Sequence, residues 1–117
     1  MRSTQSSLSV DVQPDEQDPS TVRVRLNGEL DITSSPLLET VVEQVLQARR
    51  EPACHRLVVD MSGVGFADAS GISPLLLGRA VLARRGGHIE LRHCRRAVMR
   101  LIRLLDLVDL ADLEDAG

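Results

Sequence analysis

The 117-residue chain reads as one α/β domain: a mixed, mainly parallel sheet of four to five strands with helices packed on it. Three observations predict this. Leu57, Val58 and Val59 form a short β-favouring apolar run closed by Asp60, Ser62 and Gly63, as in a buried strand. Leu38, Val41, Val42, Val45 and Leu46 fall at i, i+3, i+4, i+7 and i+8, a single apolar stripe, with Glu39, Glu43 and Gln47 turned to water. Strand-like and one-faced helical segments then alternate along the chain, which implies parallel strands, while an opening pair of strands supplies an antiparallel element.

Residues 1–7 are polar and expected to be disordered, residues 8–114 to form the domain, and 115–117 to be a tail. Leu8, Val10 and Val12 alternate with polar neighbours, as do Val22, Val24 and Leu26, which predicts two half-buried strands separated by the Pro- and Asp-rich loop QPDEQDPS. Gly28 is expected to end the second strand. Ser34-Ser35-Pro36 then opens a helix, with Ser at the N-cap and Pro at the first helical position, running to about Arg50. After Pro52 comes the strand from Leu57 to Asp60, then a Gly-punctuated loop. A second helix follows from Gly71 to about Arg85, stopped by Gly86-Gly87. His88–Arg92 reads as a strand with Ile89 and Leu91 inward. A third helix begins near Arg95, with Val98, Leu101, Ile102 and Leu105 on one side and Arg96, Arg100 and Arg103 on the other. A short last strand is placed around Ala111–Leu113.

Composition narrows the function. A hydrophobic content of 43% supports a real core, but with one Phe and no Trp or Tyr that core is aliphatic, and the stacking platforms of single-strand nucleic-acid binders are missing. The net charge of −3 likewise argues against direct nucleic-acid binding. No stretch approaches the ~20 apolar residues of a membrane span, and the start lacks the apolar middle of a secretory signal, so a cytoplasmic location is expected. Cys54 and Cys94 fit reduced thiols. Nothing in the sequence specifies an oligomeric state.

The residues from Asp68 to Ser73 are the first place to look for function, because open α/β sheets meet ligands and partners beyond the carboxyl ends of their strands. Ser70 is expected to be the helix N-cap and Gly71 to allow a tight entry. Pro74, just beyond, removes an amide donor and is expected to leave the first turn loose or late.

Gly28-Glu29-Leu30-Asp31 after a strand, Val58-Val59-Asp60, Gly63-Val64, Phe66 and Asp68-Ala69-Ser70-Gly71-Ile72 together resemble the STAS domain in its bacterial anti-sigma factor antagonist form, over roughly Leu8 to Leu113. The resemblance implies a small non-enzymatic domain that binds an anti-sigma factor, often a serine kinase of the histidine-kinase-like ATPase type, and so frees a sigma factor for transcription. It places Asp31, Asp68, Ala69, Ser70, Gly71, Ile72 and Ser73 in or beside the partner surface. In that family the kinase phosphorylates the Ser directly after the Asp of the motif. Here that position is Ala69, which leaves Ser70 as the candidate phosphoacceptor.

Two alternatives stand beside this reading: the same fold as a scaffold or constitutive antagonist that phosphorylation does not switch, and a ligand-sensing module or enzyme using the same crevice. No cofactor or catalytic motif is present. Cys54-His55 and His93-Cys94 carry zinc-type ligands but fall at opposite ends of parallel strands, so neither a metal site nor a disulfide is expected. Arg92, Arg95, Arg96, Arg100 and Arg103 read as a solvated helix face that the acidic tail can neutralise.

Overall fold

In the computed structural model, which describes residues 7–107, four strands lie in the order β1-β2-β3-β4. β1 (Ser9–Pro14) runs antiparallel to β2 (Thr21–Leu30), and β2, β3 (Arg56–Ala67) and β4 (His88–Arg92) are mutually parallel. Three helices complete the order β1, β2, α1 (Ser35–Gln47), β3, α2 (Ala69–Arg84), β4, α3 (Arg96–Leu104). The expected α/β class and mixed sheet are therefore present. The expected strand at Ala111–Leu113 and most of the N-terminal segment lie outside the described residues.

Alternation decides which face is covered. Register rows Val22-Leu57-Ile89 and Val24-Val59-Leu91 point inward and share one buried cluster with Leu38, Val42 and Leu46 of α1, Ile72, Leu75 and Leu82 of α2, and Val98, Met99 and Ile102 of α3. The opposite rows are Thr21-Arg56-His88, Arg23-Val58-Glu90 and Arg25-Asp60-Arg92. On that polar face Glu90 accepts from Arg56 Nε at 2.7 Å and Arg92 Nη2 at 2.8 Å, and lies 2.8 Å from His88 Nε2. Arg56 above all, with His88 and Arg92, holds the Glu90 carboxyl down at a pKa of about 2, against the opposing effect of burial.

Several boundaries differ from the sequence reading. β2 passes through Gly28 to Leu30: Gly28 takes φ +124°, and a side chain there would strike the Ser7 backbone, so the residue is a strand irregularity rather than an end. β3 likewise does not stop at Asp60. It continues to Ala67 with register shifts between Arg25 and Asn27 and between Gly28 and Glu29 of its neighbour, and no Gly loop intervenes. Asp60 and Ser62, read as turn formers, make their local bond inside this irregular strand, Ser62 N donating to Asp60 Oδ1 at 2.9 Å. At β1, Val12 is exposed, as an edge strand permits.

α1 ends at Gln47 rather than Arg50, because Ala48 is already extended. α3 buries Met99 where Leu105 was expected: Leu105 is the C-cap and is exposed. The stop of α2 is as read, with Gly86 at φ +76° and the Gly87 amide donating to Leu82 O at 2.8 Å. Cys54 precedes β3 and Cys94 follows β4, so the parallel pairing separates the two buried thiols along the sheet. Among the described residues no group of His, Cys, Asp and Glu could hold a metal ion.

Candidate docking site

The carboxyl ends of β2 and β3 lie side by side, Leu30 opposite Ala67, and each hands the chain to a helix through an aspartate. After β2, Asp31 Oδ1 accepts the amides of Thr33 and Ser34, both at 3.0 Å. A serine occupies the N-cap of α1, but it is Ser34, one residue earlier than Pro36 at the first helical position implied; Pro36 is second in the helix, and the Ser34 hydroxyl does not cap. Buried, it donates to Glu29 O at 2.7 Å and accepts the Asp31 amide at 3.0 Å, so it ties the turn to the strand instead.

After β3 the cap is Asp68, not Ser70. The continued pairing carries the Asp68 amide onto Leu30 O at 3.0 Å, and the helix begins at the next residue. Asp68 Oδ1 accepts the Gly71 amide and the Ser70 hydroxyl, each at 2.9 Å. Two helix-start donors thus converge on one carboxylate oxygen, an arrangement that also suits the positive end of the helix dipole. Pro74 is the sixth helical residue and the helix does not start late. The carbonyl its missing amide would have served, Ser70 O, accepts the Ser73 hydroxyl at 3.1 Å.

Gly71 locks the two turns together. A Cβ on it would lie 2.5 Å from Asp31 N and nearer still to Leu30 C and O, so only glycine lets the first turn of α2 rest on the end of β2. Among the described residues the second carboxylate oxygens of Asp31 and Asp68 accept no hydrogen bond, which leaves two rigidly held anionic positions at one sheet edge.

Of the residues singled out from the sequence, Ala69 and Ser73 are exposed and Asp31, Asp68 and Ser70 are half-buried at the surface. Gly71 and Ile72 are corrections: both are buried, Gly71 against the backbone at the end of β2 and Ile72 at 0% exposure within the core. They support the surface from beneath and do not present it. The sequence reading missed two large apolar side chains at the same edge, Ile32 at 75% exposure and Phe66 at 48%. Arg95, at the N-cap of α3, also reaches this edge: its Nε donates to Ser62 O at 2.8 Å and its guanidinium lies over Gly65. The groove between α1 and α2, about 310 Å³ and lined by Val42, Leu46, Leu77 and Val81 among others, does not include these residues.

Comparison with known proteins gives a consistent picture. The curated anti-sigma F factor antagonist of Paenibacillus polymyxa is 28% identical over 79 residues, 68% of this chain and 65% of that protein, so the match spans just under two thirds of the relative. The crystal structure of an anti-sigma factor antagonist from Mycobacterium paratuberculosis superposes with a TM-score of 0.72 at 25% identity, covering 88% of this chain and 81% of that one. The unphosphorylated form of the anti-sigma factor antagonist SpoIIAA has the same fold, with a TM-score of 0.71 at 20% identity over 87% and 86% of the two chains. A family profile described as "Mlab, STAS domain" matches residues 15–113, which take in β2, β3, β4 and all three helices, and the chain belongs to the STAS domain family.

Proposed function

We propose that this protein is an anti-sigma factor antagonist, a binding module without catalytic activity that acts in the cytoplasm. It docks an anti-sigma factor of the serine-kinase type on the edge formed by Asp31, Asp68, Ala69, Ser70 and Ser73, and so releases a sigma factor. The observation that carries this reading is the start of α2: an exposed Ala69 beside a carboxylate that folding has already oriented, in a chain whose relatives include anti-sigma factor antagonists. Such a surface binds without reorganising, and preorganisation lowers the entropic cost of association.

Titration calorimetry of the wild type against purified anti-sigma factors encoded in the source genome tests it. Ala69→Arg adds bulk and charge at an exposed position that makes no side-chain contribution to the cap. It is expected to weaken binding by about a hundredfold, which corresponds to roughly 2.7 kcal/mol. Absence of binding by the wild type, or equal binding by the variant, overturns the proposal.

A second reading, the constitutive antagonist, is favoured by one observation. Ala69 offers no hydroxyl, and the Ser70 hydroxyl is engaged with Asp68. Incubation with the kinase and ATP separates the two. A mass gain of about 80 daltons, one phosphate, that disappears in Ser70→Ala makes Ser70 the phosphoacceptor. An unchanged mass supports the constitutive form.

A further inference from the structure

We propose that Phe66 is the apolar anchor of this docking edge and Arg95 the cation beside it, so that the partner presents an apolar socket for the ring with a carboxylate against the guanidinium. This inference rests on the antagonist reading and assigns the centre and the orientation of its interface.

Phe66 is the sole aromatic residue of the chain, and the core does not use it. Met61 and Val64 of the same strand are fully buried while the ring stays 48% exposed. Strand pairing opposite Glu29 holds its backbone. A large, stiff side chain on a rigid strand loses little entropy on docking, which is why aromatic residues dominate the energetics of interfaces. Gly65, immediately before it, has no side chain, and the space alongside holds the Arg95 guanidinium.

Arg95 is fixed by the Ser62 carbonyl and forms no ion pair among the described residues, so its charge is positioned yet unmatched. On the other flank stand Glu29, in register with Phe66, and Asp68, two residues along the chain. The edge therefore carries positive charge on one side of an apolar centre and negative charge on the other. A partner with the reverse order, carboxylate against Arg95 and cation against Glu29 and Asp68, is both attracted and oriented.

The experiment is the same calorimetric titration with Phe66→Ala, Arg95→Glu and, as an off-site control, Arg84→Glu in the last turn of α2. Phe66→Ala is expected to weaken binding about 30-fold or more, in the range of interface hot spots. Arg95→Glu is expected to weaken it about tenfold, by an amount that shrinks as salt is raised. Arg84→Glu is expected to bind as wild type. Circular dichroism melts check that each variant is folded, and the exposed Arg95→Glu keeps the question answerable should Phe66→Ala unfold. If Ala69→Arg abolishes binding while Phe66→Ala and Arg95→Glu match the wild type, this inference is overturned and the docking reading survives. If the wild type binds no anti-sigma factor, both fail together.

Discussion

Replacing Gly71 by alanine sets two physical effects against each other, and the structure decides the winner. Gly71 lies inside α2 and has no left-handed φ, so helix propensity alone predicts that alanine stabilises by about 1 kcal/mol. The added methyl, however, would stand 2.5 Å from Asp31 N and closer to Leu30 C and O, all backbone atoms that cannot swing aside. Carbon contacts prefer roughly 3.5–4.0 Å, so the end of β2 and the start of α2 must part by about 1 Å or more. Overpacking of this kind costs about 1–3 kcal/mol, with the upper end expected against backbone. Parting the segments also stretches the 3.0 Å bond from the Asp68 amide to Leu30 O, with loss of another ~1 kcal/mol.

The net expectation for Gly71→Ala is a loss of about 1–3 kcal/mol, or a fall in Tm of roughly 4–12 °C for a domain of this size. Gly78→Ala is the matched comparison. Its methyl would meet only side chains, Val42 Cγ1 at 3.0 Å and Leu46 Cδ1 at 3.8 Å, which can yield. Its Tm is expected within about 4 °C of wild type, since propensity and crowding nearly cancel. Differential scanning calorimetry of the three proteins gives the answer. A Gly71→Ala variant that melts at or above the wild-type temperature would refute the close seating of α2 on β2, and with it the fixed relation between Asp31 and Asp68.

Asp68→Ala removes the acceptor of two helix-start donors and should cost about 1 kcal/mol or somewhat more, read as a lowered urea midpoint with unchanged m-value. Glu90, held at a pKa of about 2 when folded against an ordinary 4.5, contributes stability that is fully present above pH 4.5 and disappears as pH falls toward 2. Glu90→Gln should therefore flatten the acid limb of a stability-versus-pH curve in that window, and an unchanged slope would exclude the Arg56-Glu90 pairing as its source. Burial pushes the Cys94 thiol up to about 11 and raises that of Cys54 as well. At pH 8 neither should react with a thiol reagent such as DTNB until denaturant unfolds the chain, and prompt modification of the native protein would contradict their placement.

The central strands, α1 and the glycine stop of α2 were legible because each is encoded locally: alternation at Val22, Val24 and Leu26, a stripe from Leu38 to Leu46, and Gly86 just past a helix. What escaped was non-local. Gly28 and Gly63 read as endings, and only the pairing of β2 with β3 turns them into irregularities within longer strands. Asp68 and Ser70 are both good cap residues, and the sequence offered no reason to prefer the earlier one. The decision came from Leu30 O, 38 positions away from the amide it receives. Phe66 was passed over as a functional side chain because the strand was ended at Asp60 and the residue fell in a Gly-punctuated loop, where no sheet face could be assigned to its ring. Its isolation as the lone ring next to Gly65 was the available signal.

The proton on Ser70 ties this local geometry to the question of regulation. Its hydroxyl helps hold the Asp68 carboxylate, which at the same time caps α2 through Gly71, so the surface that would meet a partner and the start of the helix share one set of bonds. A phosphate on Ser70 would delete that donor and set about −1.5 to −2 charges against the very oxygen it had served, a repulsion that the helix N-terminus offsets in part. A phosphate at position 69 would instead sit exposed at the first helical residue with the cap untouched, but alanine occupies it. Modification at the site that remains is thus coupled to loosening of the helix start, whereas modification at the neighbouring position would change charge alone. A regulator acting on this chain through Ser70 would have to disturb folding and docking at once, and hydrogen exchange at the Gly71 and Ile72 amides is where that coupling would be read.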